Sequence, residues 1–212
     1  IRHIAEQHNS HRKILTYEAP IEFVYDDVVK HSCVISQSEI PRHLPSFASG
    51  VRNALRRKPR LILVGEARDQ ETINALMEAS LTGHPVYTTV HSNGVAETVR
   101  RLVNTFPQDE RHSKGIDIIE TMRLIIWQRL VPTVDGKRVA LREYLVFTEE
   151  IRNELLQVDI NAVSAATRAI VKRNAHTMLD DARIKLKDGI ISKDTFTQIA
   201  RYSEGQDSDS AS

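Results

Sequence analysis

The chain has 212 residues, 41% of them hydrophobic, which is enough for a core, and its 29 Lys+Arg against 28 Asp+Glu leave a net charge of +1. That balance gives no electrostatic footprint for nucleic acid or for an anionic membrane, and the single cysteine, Cys33, excludes an internal disulfide and a four-cysteine zinc site. There is no apolar run of about eighteen residues and no leader pattern at the front, so the expected setting is reducing and cytoplasmic.

Ile1, Ile4 and Ala5 fall at helical spacing until Asn9-Ser10 breaks the pattern. This reads as the tail of a helix, and without a leading methionine the expectation is that further sequence precedes it. Lys13 to Glu18 reads as a short strand ending on a carboxylate, and Ala19-Pro20 stops a helix from following at once. Ile21 to Ile35 alternates apolar and polar residues in two pieces around Asp26-Asp27, predicting an extended excursion in the form of a hairpin. After Pro41 and Pro45, the residues Phe47, Val51 and Leu55 recur every four positions, an amphipathic helix that Ser46 can cap. Arg52 and Arg56 stack on one side of it and continue into Arg57, Lys58 and Arg60. Taken alone, such a basic face is solvated surface.

Leu61-Ile62-Leu63-Val64 is an unbroken apolar run, the pattern of a strand covered on both faces. Gly65 then lets the chain turn, and Glu66 stands at the strand's carboxyl end, where open α/β sheets bind ligands. Many such strands end in a carboxylate that is only solvated. Asp69 can cap the next helix, whose Ile73, Leu76, Met77 and Leu81 share a face and which Gly83 ends. Pro85 to Val90 is a third strand with His91 at its end, and Val95, Val99, Leu102, Val103 and Phe106 line one side of the helix after it. This alternation predicts an α/β fold, a mostly parallel sheet with flanking helices and right-handed crossovers. Glu18, Glu66, Thr88, Thr89 and His91 then gather along one edge. Two carboxylates and a histidine there could hold a divalent ion and a nucleophilic water, or form a metallohydrolase centre. His84 and His91 lack zinc-ligand spacing.

Ile116 to Leu124 is helical in pattern, and Asp135-Gly136 between Ile125–Val131 and Leu141–Phe147 marks a hairpin. Beyond Thr148 the apolar residues, among them Leu155, Val163, Ile170 and Met178, keep helical spacing. Ser203 to Ser212 is rich in Ser, Asp and Gly and is expected to be disordered. The predicted organisation is a core over 1–147, a smaller helical unit over 148–202 and a tail over 203–212.

Several stretches together resemble the C-terminal ATPase domain of the PilT/GspE/VirB11 superfamily of secretion and pilus motors, which has a RecA-like P-loop NTPase fold. Leu15-Thr16-Tyr17-Glu18-Ala19-Pro20-Ile21-Glu22-Phe23 resembles its Asp box, Leu61 to Asp69 its Walker B segment, and Thr82 to His91 its His box. The three occur in family order across Lys13 to Leu155, and the match is closest to PilT-like retraction motors and to DotB/TraJ of type IVB secretion. Ile151-Arg152-Asn153-Glu154-Leu155 partly resembles a stretch that PilT-like motors carry near this place.

The resemblance implies roles. Glu18 would activate or orient the attacking water, and Glu66 would act with it and, indirectly, with Mg2+. His91 would sense the γ-phosphate with support from His84, and Thr89 joins the nucleotide-binding set. Arg52, Arg56 and Arg57 would reach the nucleotide of a neighbouring subunit. ATP and Mg2+ are thus implied, with a homohexamer working with secretion or pilus components at the inner membrane, peripheral and cytoplasmic, and without nucleic acid.

Two departures stand out. Ala19 occupies the place of the family's usual aspartate, and the Gly-x-x-x-x-Gly-Lys-[Ser/Thr] phosphate cradle does not occur in these 212 residues. ATP hydrolysis therefore requires a Walker A segment upstream of residue 1. The alternative is a non-catalytic ring or docking module, or an inactive fragment, that retains the fold.

Overall fold

The computed structural model describes residues 1–6, 12–28 and 33–208, with 204–208 described by backbone alone. Two compact units make up the chain, Ile1–His91 and Ser92–Ser212.

The first unit holds α1 (Arg2–Ala5), β1 (Arg12–Glu18), β2 (Cys33–Glu39), α2 (Phe47–Ala54) with a 3-10 turn at Leu55–Arg57, β3 (Leu61–Val64), α3 (Gln70–Leu81) and β4 (Val86–Thr88). Its four strands form one sheet in the order β2-β1-β3-β4, every pairing parallel. Ile14, Leu15, Thr16 and Tyr17 of β1 are all fully buried, so this strand is covered on both faces. Fully burying each large apolar side chain of such a run contributes about 1.5–3 kcal/mol. Ser46 caps α2 by accepting from the Ser49 N–H, and Asp69 caps α3 by accepting from the Thr72 N–H at 2.8 Å. Both caps were predicted.

The hairpin predicted over Ile21 to Ile35 is not formed. No strand lies between Ile21 and Val28, and β2 runs parallel to β1 and continues to Glu39. Its second half is Ser36-Gln37-Ser38-Glu39, a polar run that carries no strand periodicity in the sequence. Residues 29–32 of that stretch lie outside the described residues.

The second unit contains α4 (Val95–Asn104), α5 (Arg111–Thr121), β5 (Leu124–Pro132), β6 (Arg138–Val146), α6 (Glu149–Leu156), α7 (Val163–Asn174), α8 (Met178–Lys187) and α9 (Lys193–Ser208). The predicted Asp-Gly hairpin is present, with Leu124 opposite Val146 and Pro132 opposite Arg138, and Gly136 takes the left-handed conformation (φ 77°) that the turn requires. Leu124 belongs to this hairpin and not to the preceding helix, which stops at Thr121. Ile125, Leu145 and Phe147 share a core with α4, α6 and α7 through Val99, Leu155 and Ile170. A second cluster joins Val131 and Leu141 to Met178, Ile191 and Ile199. Helix α9 enters the segment expected to be disordered and continues to Ser208, while 209–212 lie outside the described residues. Tyr202 of α9 stacks on Trp127 and lies under the Arg129 guanidinium, contacts that hold this end of the helix.

Candidate functional site

β1 and β3 run parallel in adjacent positions, Tyr17 beside Val64, so each delivers the residues that follow it to the same edge of the sheet. Glu18 ends β1, and Glu66 comes one residue after the Gly65 turn. The Gly65 N–H donates to the Tyr17 carbonyl at 2.7 Å, and a Cβ at Gly65 would lie 3.4 Å from the Glu18 Cα. The two carboxylate-bearing segments are therefore packed side by side.

Glu18 is half-buried, and its Oε1 is held twice. It accepts from the Thr16 hydroxyl at 2.6 Å and from Gln37 Nε2 at 3.1 Å. Tyr25 lies close enough that burial first, and the Glu18 charge second, push its phenol above the ordinary range. Glu66 is looser. Its Oε1 is 3.7 Å from His91 Nε2 and its Oε2 is 3.9 Å from Arg68 Nη1. The Glu66 side chain is 27% exposed and His91 83%, so the histidine projects from the edge toward solvent.

Thr89 braces the turn that carries Glu66. Its hydroxyl donates to the Gly65 carbonyl, and its own carbonyl accepts from the Ala67 N–H at 2.9 Å. Of the other predicted residues, His84 stands away from this cluster, and none of Arg52, Arg56 and Arg57 forms an ion pair with Glu18 or Glu66 among the described residues. Pro85, next to His84, pairs with Ile62 at the start of β3, so His84 stands at the opposite end of the sheet from Glu66, with its Nδ1 3.2 Å from the Thr82 hydroxyl. Arg52 pairs with Glu71 at 2.8 Å, and Arg57 donates to the Ser36 hydroxyl at 3.1 Å, while Arg56 is exposed. Arg57 also lies beside the buried Tyr17; burial pushes the Tyr17 phenol up, and the guanidinium partly offsets that through its charge and its approach to the hydroxyl.

Among the described residues, no three His, Cys, Asp or Glu side chains cluster as a protein metal cage would. Mg2+ does not need one, because it is commonly held by one or two carboxylates, water and the phosphates of its nucleotide. Glu66, partly exposed at this edge and 3.7 Å or more from its charged neighbours, fits the carboxylate part of that donor set.

A parallel sheet presenting two carboxylates and a histidine at the carboxyl ends of its strands is shared by many α/β proteins. Comparison with known proteins narrows it. The family model for type II/IV secretion system proteins matches residues 2–140.

This chain belongs to the type II/IV secretion system protein family.

The Legionella pneumophila ATPase DotB is 62% identical, with a TM-score of 0.91 over 94% of this chain and 54% of that one. The pilus retraction motor PilT, solved with bound ADP, is 32% identical, with a TM-score of 0.77 over 90% of this chain and 53% of that one. The twitching motility protein of Neisseria gonorrhoeae is 35% identical over 205 residues, 96% of this chain and 54% of the relative. The fold of this type II/IV secretion family chain is thus the RecA-like one expected, and its likeness is to the PilT- and DotB-like members. It spans about half the length of these relatives.

Sequence reasoning missed Thr16 and Gln37. Thr16 carried a signal, because it lies two residues before Glu18 and so on the same face of β1. Gln37 carried none: it sits opposite Thr16 only because β2 pairs with β1 in parallel register.

Proposed function

We propose that this chain is the hydrolytic portion of an ATP-driven motor subunit of a bacterial type IV secretion or type IV pilus system. The observation that carries the reading is the delivery of Glu18 and Glu66 to one sheet edge by adjacent parallel strands, with His91 3.7 Å from Glu66. Similarity to an ATPase, DotB, and to a retraction motor with bound ADP, PilT, supports it.

In this reading Glu18 orients the attacking water, Glu66 is the carboxylate that would help hold Mg2+, which would neutralise phosphate charge when bound, and His91 senses the γ-phosphate with Thr89 holding the turn. The chemistry is positioning and charge neutralisation, which is what phosphoryl transfer needs. His84, before the start of β4, takes no part in this cluster within one chain. Arg52, Arg56 and Arg57, which form no ion pair with Glu18 or Glu66 among the described residues, serve the nucleotide of a neighbouring subunit in a homohexameric ring. Hydrolysis in this reading needs a phosphate cradle of the Gly-x-x-x-x-Gly-Lys-[Ser/Thr] kind, which does not occur in these 212 residues. The motor is cytoplasmic and meets the inner membrane through secretion or pilus partners, and among the described residues no helix is long and apolar enough to cross a membrane.

One observation favours the rival reading of a non-catalytic docking module, the uncharged Ala19 after Glu18. Glu66→Gln in the protein expressed from its full coding sequence separates the two. The motor reading expects ATP turnover to fall at least about 100-fold while affinity for a fluorescent ATP analogue stays within about threefold. Undiminished turnover removes the role given to Glu66, and a wild-type protein that binds but never hydrolyses ATP establishes the docking module.

A further inference from the structure

Gln37 is the most connected polar side chain beside Glu18. Its Nε2 donates to Glu18 Oε1 at 3.1 Å and to the Phe23 carbonyl at 2.9 Å, and its Oε1 accepts from the Tyr25 N–H at 2.9 Å. One amide thus uses both ends, tying the carboxylate to the segment that leaves β1. Two strand features fix its place. Gln37 lies directly opposite Thr16 across the β1–β2 pair, and Thr16, fully buried, donates to the same Glu18 oxygen at 2.6 Å. The adjoining segment is pinned again by Glu39, which accepts from the Ile21 N–H at 3.3 Å.

We propose that Gln37 is a positioning residue for Glu18: with Thr16 it occupies Oε1 and so leaves Oε2 as the oxygen that meets the reacting water. The proposal rests on the hydrolytic role given to Glu18. Glutamine suits this place where glutamate does not, since a carboxylate at position 37 keeps an acceptor for the Tyr25 N–H but loses both donors and sets a second negative charge against Glu18. Charge-assisted hydrogen bonds are stronger than neutral ones, so losing this one loosens the hold on Glu18 and also costs stability, and the test reads rate and folding separately.

The test compares wild type, Gln37→Glu and Gln37→Met, all expressed from the full coding sequence, by steady-state ATP hydrolysis, ATP-analogue affinity and crystal structures. The expected result is a kcat lowered roughly 10- to 100-fold in both variants, with KM and analogue affinity changed less than about threefold, and Glu18 populating rotamers besides its Thr16-bound one. A kcat within about twofold of wild type, or a Glu18 that keeps its rotamer in Gln37→Met, overturns the proposal. So does a kcat loss that tracks the loss of folded protein alone. If the wild type hydrolyses no ATP, the role of Glu18 has failed, and the crystal structures still decide whether Gln37 holds it.

Discussion

Gly50 shows how one missing side chain sets the position of a helix. A Cβ there would lie 2.6 Å from Tyr17 Cδ1 and 2.9 Å from Cε1, and that ring is fully buried in β1. In an exposed helix, Gly→Ala gains about 1 kcal/mol. Here the ring cannot move aside without disturbing the strand that ends in Glu18, so the overpacking cost prevails. Gly50→Ala is expected to lose about 1–3 kcal/mol in denaturant unfolding, and a stability gain would contradict the close approach. Glu18 and Glu66 were legible in the sequence because each follows an apolar run and its burial pattern announces the strand end. Gln37 was not, since its importance arises from a partner in another strand. The arginines were legible only as a basic face, and the structure pairs Arg52 with Glu71 and Arg57 with Ser36.

Elements with strong local signals formed where expected. The caps at Ser46 and Asp69, the apolar β3 and the Asp-Gly hairpin are each decided within a few residues. β2 and the last turns of α9 depend on what lies next to them in space. The second unit adds a device of the same kind, for Glu143 of β6 accepts from the Val95 N–H at 3.1 Å and so caps α4 from a distant strand. Nearby, Glu97 pairs with Arg168 of α7. Burial pushes the Glu143 carboxyl above the ordinary carboxylate range; the Val95 N–H opposes that and the Glu97 charge adds to it. The folded state therefore holds this proton more tightly than the unfolded state does. Its contribution is most favourable below the ordinary carboxylate pKa and is lost as pH rises toward the raised value. Glu143→Gln keeps an acceptor for the Val95 N–H and removes the charge. Its Tm relative to wild type is expected to rise as pH goes from about 4 to about 7, and a difference independent of pH would contradict the shift.

At the scale of the molecule, the sheet places Glu18 and Glu66 at one edge, while among the described residues Arg52 and Arg57 bond to Glu71 and Ser36 and none of Arg52, Arg56 and Arg57 pairs with either carboxylate. Those halves become one site if the arginine comes from a neighbour, as in an arginine finger supplied in trans. No periodicity in a sequence can announce such a site, because its two halves belong to different copies of the chain. Arg56→Ala alone should lower ATPase activity at least about 10-fold without abolishing nucleotide binding. The most direct measurement is ATP turnover by an equimolar mixture of Arg56→Ala and Glu66→Gln subunits, under conditions where mixed rings are demonstrated. In random mixed rings about a quarter of shared sites carry both an intact Glu66 and an intact Arg56, so activity should rise well above that of either variant alone. Activity equal to the average of the two separate preparations would contradict a site shared between subunits.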